Sequence, residues 1–312
     1  MKVSPGEKKA ARTRSVYLDH AAIAYAQRKH FLLLDVVPLA ASLLSIVYLS
    51  SVGVVAKDWL VFLFMWVITA FGIEAGYHRL FSHRAYDATK SFKIFMILLA
   101  HSAGQGTIVS WASTHRHHHQ FSEKPDDVHS PYIGKHLTLG SFIQSHIFWK
   151  WNYRYPNPIN YSVDILKDKT IRGLDRFYYI NVILGILLSG VLDYLLTGGL
   201  RGFLVGLCLG GVIRLTLTQH FTWMINSVCH IWGRKNFKTW DESRDNPWLA
   251  VPTLGGSWHN THHAFPNSPR NDLIKEQIDP CFHVLRLFGL FGFLDLKAWP
   301  TRELTWLKKI DH

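Results

Sequence analysis

Long apolar blocks alternate with polar connections along this chain. Four of them are long enough to cross a membrane as helices, at residues 31–55, 59–77, 177–197 and 203–225. A helix needs about 20 apolar residues to cross roughly 30 Å of hydrocarbon. Lys57 and Asp58 predict a turn between the first two blocks, and residues 198–202 predict a tight turn between the last two. The pattern therefore predicts an all-α integral membrane protein with four transmembrane helices in two hairpins.

The chain outside these hairpins is more polar. Residues 92–112 are apolar but are interrupted by His101 and by Gly104, Gln105 and Gly106, which favours a buried or re-entrant helix over a lipid-exposed span. We expect three regions: a basic N-terminal segment at 1–30, a membrane domain at 31–263 and a C-terminal tail at 264–312.

The charge of the chain indicates how the hairpins are oriented. The 312 residues contain 34 Lys and Arg but 22 Asp and Glu, which gives a net charge of +12. Positive charge beside apolar blocks is typical of cytosolic loops, so both termini and the region between the hairpins are expected in the cytosol. Nucleic acid is another partner for a basic chain, but the apolar blocks favour membrane lipid. The 3 cysteines form no CxxC pair, which argues against a disulfide framework or an iron–sulfur site.

Histidine is the unusual residue of this sequence, with 19 copies, many of them in three clusters. In THRHHHQF, His115, His118 and His119 stand at i, i+3 and i+4 on one helical face, so their ring nitrogens are expected to converge on one point. The same spacing recurs in HNTHH, at His259, His262 and His263. A metal is the simplest reason for this crowding.

The remaining cluster, HRLFSH, has a different spacing. On an ideal helix His78 and His83 point roughly 140° apart. They share one ion only if the helix ends or bends between them, and otherwise they serve different ions, so this geometry favours two metals. The eight imidazoles exceed the ligands of one tetrahedral zinc. Imidazole binds iron, copper, zinc and nickel, so ligand type alone leaves the metal open.

The order HxxxxH, HRxHH and HxxHH resembles the three histidine boxes of the membrane-bound fatty acid desaturases. The likeness covers most of residues 72–270, including GYHRLFSHRAY, SWASTHRHHHQFSE, FTWMINSVCH and WHNTHHAFP. It points to the stearoyl-CoA and acyl-lipid Δ9 branch in its bacterial form. The resemblance implies two iron ions and an O2-dependent reaction that introduces a cis double bond into a saturated acyl chain carried by CoA, a carrier protein or a lipid.

The resemblance also implies roles for residues outside the boxes. His230, just after the last span, corresponds to a ninth histidine ligand, and Asn226 to a residue that reaches a metal through water. Trp223 and Trp258 are expected to line an acyl tunnel. Candidates for the groups that hold the ligands in place are Glu74, Asp127 and His129.

One position departs from the family pattern. Many relatives have Gly-Glu-Gly-Trp-His before the third box, whereas this chain has Gly256 in place of the glutamate. A carboxylate near the ligands is therefore missing, and we expect a change in ligand positioning or substrate choice.

Alternative functions remain open at this point. An acyl hydroxylase or acetylenase needs the same ligands, while a metal-handling membrane protein is disfavoured because transporters place ionisable ligands along their spans. The sequence has no recognisable haem or iron–sulfur segment, so a ferredoxin or a cytochrome b5-like protein is expected to donate electrons, guided by the basic cytosolic face. Six other histidines are expected to be ordinary surface or core residues: His20, His30, His136, His146, His283 and His312.

Overall fold

A computed structural model describes residues 15–132 and 136–310 of the chain. The first part of the basic segment, residues 1–14, and His312 lie outside these described residues, whereas His136 is exposed, as expected of a surface residue. Four helices are long and apolar enough to cross a membrane: α1 (Ala21–Val52), α2 (Ala56–Ser82), α9 (Tyr178–Thr197) and α10 (Gly199–His230). The prediction of a helical membrane protein with four spans is thus confirmed.

The other elements are short. The helices are α3 (Lys90–His101), α4 (Ile108–Phe121), α5 (Leu139–His146), α6 (Pro158–Tyr161), α7 (Val163–Lys167), α8 (Lys169–Asp175), α11 (Pro247–Ala250), α12 (His259–Ala264), α13 (Pro280–Leu290) and α14 (Arg302–Lys308). Strands β1 (Tyr86–Ala88) and β2 (Leu294–Leu296) pair antiparallel and join the tail to the end of the first cluster.

The first hairpin turns earlier than predicted. Gly53, with a φ of 73°, ends α1 in a conformation that suits glycine. The Asp58 carboxylate accepts a hydrogen bond from the Val55 N–H at 2.7 Å and so caps α2. Lys57 and Asp58 therefore belong to the first turn of the second helix, and the turn lies before them.

The second hairpin is joined by Gly198, whose φ is 85°. Because α10 starts at Gly199, the turn is shorter than the predicted one at 198–202. A Cβ on Gly206 would lie 2.4 Å from the Ser189 carbonyl oxygen, so the two helices approach each other at their backbones. Close packing of small residues is a main source of helix association in lipid, where the hydrophobic effect between helices is absent.

The helices extend beyond the predicted spans on the side that carries the histidine clusters. Helix α1 begins at Ala21 rather than at residue 31, and α2 continues past residue 77 to Ser82. Polar residues remain helical after they leave the hydrocarbon. Hydropathy therefore locates the crossing but not the end of the helix.

The interrupted apolar segment forms two helices, α3 and α4, which are buried on one side, and α3 exposes Phe95 and Leu98 on the other. Gly104 and Gly106 have φ values of 68° and 111° in the turn between them. Helix α3 packs closely on α2, because a Cβ on Gly72 would lie 2.5 Å from the Leu99 carbonyl carbon. The Asp175 carboxylate accepts hydrogen bonds from the backbone N–H groups at the start of α4, which fixes the helix that carries the second cluster.

Candidate metal centre

The first histidine cluster lies in a π-helix, the last part of α2 from Gly72 to Ser82. The His83 N–H donates to the His78 carbonyl oxygen at 3.0 Å, a bond that spans five residues. The two rings therefore stand on one side of the helix, with centres 4.8 Å apart. The alternative that they serve different ions is wrong, because the helix changes its winding between them.

Nine histidines form two groups. Within each group, the ring nitrogens available to a metal lie within 4.8 Å of one another. The five-histidine group contains His78, His83, His115, His119 and His262. The four-histidine group contains His118, His230, His259 and His263.

The second and third clusters each divide between the two groups, so the expectation that each converges on one point is wrong. On a helix, residue i+4 lies about 40° to one side of residue i, and residue i+3 about 60° to the other. His115 and His119 therefore share a group, and His118 turns to the other group. The third cluster divides in the same way, with His262 as the residue that turns away.

Buried polar contacts hold the three clusters against one another. Arg116, the arginine of the second cluster, donates to the carbonyl oxygens of Phe81 and Ser82 at 2.7 Å each. These carbonyl groups lie at the end of α2, where no further helical N–H groups are available to donate to them. Asp245 accepts a hydrogen bond from the Thr261 N–H at 2.9 Å and so fixes α12, the helix of the third cluster.

Four of the nine histidines pair their Nδ1 with a carboxylate. The pairs are His78 with Glu74 (3.0 Å), His118 with Asp127 (2.9 Å), His230 with Glu123 (2.9 Å) and His263 with Asp241 (2.6 Å). An ionised carboxylate only accepts hydrogen bonds, so it fixes the proton on Nδ1 and leaves a lone pair on Nε2. Three of these carboxylates serve the four-histidine group and one serves the five-histidine group.

The Nε2 atoms face one another in both groups. His262 Nε2 lies 2.9 Å from His78 Nε2 and 3.0 Å from His119 Nε2. The buried Nε2 atoms of His118 and His263 have no hydrogen-bond partner among the described residues. Converging lone pairs repel unless a cation lies between them, and separations near 3 Å suit nitrogens that share one ion at ~2.0–2.1 Å. The donor set therefore fits one metal ion in each group.

Burial keeps most of these imidazoles neutral. It lowers the pKa of His83, His115, His119, His259 and His262 well below the usual value, and neighbouring histidines lower it further. Burial also lowers the pKa of His263, to about 4. Burial opposes protonation of His118 as well, but the charge and hydrogen bond of Asp127, together with the charges of Asp241 and Glu123, raise its pKa. Neutral imidazole is the form that binds metals.

Glu74 lies against the backbone of Gly256. A Cβ on Gly256 would be 2.8 Å from Glu74 Oε2. The Glu74 carboxylate also accepts hydrogen bonds from Arg79 at 2.9 and 3.1 Å, and Arg79 is held in turn by Asp279. A carboxylate from α2 thus occupies the space beside position 256, where the third box of this chain has a glycine.

Sequence reasoning missed two of the carboxylates. Glu123 follows the second cluster at a φ of 60°, a conformation that no spacing in the sequence indicates. Asp241 is 22 residues before His263 in a stretch without helical periodicity. His129, expected beside the ligands, packs its ring 4.2 Å from that of His118 and forms, with His118 and Asp127, a third and smaller group that could hold a metal ion.

A cavity of about 490 Å³ lies beside the histidines. His115, Asn226, Trp111 and Trp223 contribute to its wall. Trp258 lies outside the wall that the described residues form, and its indole N–H donates to the Ile278 carbonyl oxygen at 2.7 Å. The cavity thus accounts for one of the two tryptophans expected to contact a substrate.

Comparisons with known proteins agree with this geometry. Residues 57–276 match the family described as fatty acid desaturase. The chain is 33% identical to a hex-5-enoyl-[acyl-carrier protein] acetylenase of Moorena producens over 99% of this chain and 98% of that protein. It is 36% identical to Delta-9 acyl-lipid desaturase 2 of Arabidopsis thaliana over 78% of this chain and 75% of that protein. An acyl-CoA C20 Delta5-desaturase of Anemone leveillei is 33% identical over 77% and 73%.

Proposed function

This chain belongs to the fatty acid desaturase family of oxidoreductases, and we propose that it introduces a cis double bond into a fatty acyl chain beside its two histidine groups. The observation that carries the proposal is the convergence of nine imidazoles, four of them fixed by carboxylates, next to a cavity of about 490 Å³. The nine histidines are its proposed ligands, and Asn226 is placed in the cavity wall from which it would reach a metal through water.

The proposed cofactor is a pair of iron ions, one in each histidine group. When bound, they would supply the reductive activation of O2 and an oxidant able to take hydrogen from an unactivated C–H bond. The reaction consumes one O2, two electrons and two protons, breaks two adjacent C–H bonds, forms one π bond and releases two waters. The substrate provides the other two electrons.

The protein's own side chains position the reactants. The carboxylates of Glu74, Glu123, Asp127 and Asp241 hold the imidazoles in the tautomer that presents Nε2. Trp111 and Trp223 would provide apolar wall for the acyl chain in the cavity. A saturated acyl chain on CoA, a carrier protein or a lipid is the proposed substrate.

The two external electrons require a protein partner. A ferredoxin or a cytochrome b5-like protein is the proposed donor, docking on the histidine side of the membrane. The net charge of +12 would favour association with such acidic proteins. We place the histidine side in the cytosol, because the positive charge of the chain lies beside the spans.

A second candidate function is the formation of a triple bond. It is favoured by the acetylenase of Moorena producens, which aligns with nearly the whole of this chain, including the segment before and the tail after the family match. The reaction consumes the same O2, electrons and protons and releases the same two waters. Its substrate is an alkene, which loses two hydrogens and becomes an alkyne. The substrate would then already carry a double bond.

Expression in a host of known acyl composition tests both candidates. Mass spectrometry of total acyl chains should find products that lack two hydrogens relative to their precursor. His118→Gln should abolish them, while His117→Gln on the same helix should retain them, because His117 bonds to Tyr17 and belongs to neither group. A product that has gained one oxygen would identify a hydroxylase, and an unchanged acyl profile with a competent electron donor would refute the proposal.

A further inference from the structure

Helix α13, in the C-terminal tail, has an exposed apolar side. Its other side is buried against the rest of the chain, at Cys281, Phe282 and Leu285. The exposed side carries four large apolar residues, of which Leu290 is 84% exposed: Val284, Leu287, Leu290 and Phe291. At about 100° per residue, these four fall within an arc of roughly 120°. A continuous apolar arc of this kind is unfavourable in water, so it is expected to contact an apolar partner.

The outer stripe of α2 shows what lies on this side of the molecule. It consists of four exposed apolar residues within the second span: Leu60, Leu63, Phe64 and Val67. Because α2 crosses the membrane, an exposed apolar stripe along it contacts the acyl chains of the lipid. Phe71 continues the stripe one turn after Val67, yet it is only 5% exposed. The outer stripe is therefore covered at the level of Phe71.

The ring of Phe288, in α13, covers Phe71. The two rings are stacked, with their centres 6.1 Å apart. Phe288 also packs against Phe92 and Phe95 of α3, with ring centres 4.9 and 6.3 Å away. Helix α13 thus lies on the side of α2 that faces lipid, and its own exposed side points outward in the same direction.

The length of α2 places this contact within the hydrocarbon. The first turn of α2 is polar, and Asp58 there pairs with Arg201 at 3.1 Å. Phe71 follows Asp58 by 13 residues, which corresponds to about 20 Å along the helix axis. The hydrocarbon core of a bilayer is about 30 Å thick. Phe71 and the ring of Phe288 therefore lie in the leaflet on the histidine side rather than in the cytosol.

Polar contacts fix the orientation of α13. Asp279 caps the helix by accepting a hydrogen bond from the Phe282 N–H at 3.0 Å, and it pairs with Arg79 of α2 at 2.8 Å. After the helix, the Thr89 N–H donates to the Phe293 carbonyl oxygen at 3.0 Å, and β2 pairs with β1. Both ends of α13 are therefore attached to the part of the chain that carries the first histidine cluster, and the apolar side stays outward.

We propose that α13 lies in the leaflet on the histidine side of the membrane, with Leu287, Leu290 and Phe291 among the acyl chains of the lipid. An amphipathic helix binds a membrane more strongly the more apolar area it buries there. Arg286 is exposed at the edge of the apolar arc, and its long side chain can extend to the lipid headgroups. The tail thereby adds a membrane contact to the four spans, and this inference does not depend on the proposed reaction.

The test measures which solvent surrounds α13 in the full-length protein in lipid nanodiscs. Leu287→Cys and Leu290→Cys each receive a nitroxide spin label, in a chain whose half-buried Cys208 is replaced by serine. The Cys208→Ser chain without an added cysteine gives the background signal of the two buried native cysteines. Electron paramagnetic resonance then compares the collisions of each label with O2, which is concentrated in lipid, and with a water-soluble nickel chelate.

Two exposed positions provide the references. Val67→Cys, on the outer stripe of α2, reports lipid, and Lys275→Cys, in a polar loop before α13, reports water. Because Leu287 and Leu290 are exposed, neither cysteine removes a buried contact. A thermal unfolding midpoint equal to that of the Cys208→Ser chain verifies that each labelled variant is folded.

We expect the ratio of O2 collisions to chelate collisions at positions 287 and 290 to match that of Val67→Cys and to exceed that of Lys275→Cys several-fold. A ratio at either position that matches Lys275→Cys would show water there and overturn the inference. Protection of the labels from both reagents, or broadening of their spectra by a second copy of the chain, would show that protein covers α13 and would also overturn it.

Discussion

The carboxylates around the histidines are distributed unequally. Asp127, Glu123 and Asp241 face the four-histidine group, whereas Glu74 faces the five-histidine group and is shared with Arg79. Negative charge behind a ligand strengthens its donation to a metal. The four-histidine group should therefore hold its ion more tightly than the five-histidine group.

Replacing Asp241 by Asn tests the role of these partners. The substitution removes the charge that His263 faces at 2.6 Å, and loss of such a partner typically lowers metal affinity about 10–100-fold. When the metal-free Asp241→Asn variant is titrated with Co²⁺, one of the two binding events should be weaker than in the unaltered protein. Glu242→Gln changes the neighbouring acid, which pairs with Lys235 and Arg244, and should leave both events unaltered. Equal effects of the two substitutions would contradict this role.

The close approach of Gly256 to Glu74 gives a second prediction. Gly256→Ala would place a methyl group 2.8 Å from Glu74 Oε2, and the carboxylate has little room to move because Arg79 holds it. We expect lower metal content at the five-histidine group. Gly173→Ala is the control, since a Cβ there meets nothing within 4 Å. Normal metal content in the Gly256 variant would show that Glu74 is not needed to position His78.

At the residue level, the spacing of the boxes selected eight of the nine histidines that the structure brings together, and the family resemblance supplied His230. Their spacing fixes the angles of about 40° and 60° between the rings of one cluster. Which rings of different clusters meet in one group depends on how the three clusters are arranged in space, and the spacing does not contain that arrangement. The pairing of His78 with His83 required a π-helix. Glu123 and Asp241 reach their histidines through loops and leave no periodic signal.

The helices themselves were easier to predict than their ends. Hydropathy located all four spans, but Asp58 caps a helix where a turn was expected, and α2 remains helical through the first cluster. Helix ends depend on capping and on contacts with other elements. The π-helical part of α2 is stabilised by its burial against α3, which no local pattern in the sequence encodes.

The second hairpin offers a prediction at this scale. Gly206→Ala would force a methyl group against the Ser189 carbonyl oxygen of α9, now 2.4 Å from the ideal Cβ position. Overpacking of this kind costs about 1–3 kcal/mol. Thermal unfolding in detergent should therefore shift to lower temperature, with Gly173→Ala as the unaffected control. An unchanged midpoint of thermal unfolding in the Gly206 variant would contradict close backbone packing between α9 and α10.

On the scale of the whole molecule, the two hairpins return the chain to one side of the membrane, where all three boxes meet. Cysteine labelling from outside intact cells tests the orientation. Ser51→Cys, in the last turn of α1 beside the first hairpin connection, should react with a membrane-impermeant reagent, whereas Lys275→Cys on the histidine side should react only after lysis. Cys229 and Cys281 are buried and should react little, so labelling of the unaltered chain gives the background signal of the native cysteines. The reverse labelling pattern would contradict a cytosolic site.

The central claim is that histidines separated by most of the chain hold two iron ions together. The most direct measurement is the iron and zinc content per chain of protein purified without chelators and loaded anaerobically with Fe²⁺, with Mössbauer spectroscopy to distinguish the iron sites. The account predicts two irons per chain in two inequivalent sites, and a loss confined to one site in His230→Ala. A single metal ion per chain, or a zinc ion that Fe²⁺ does not replace, would contradict it.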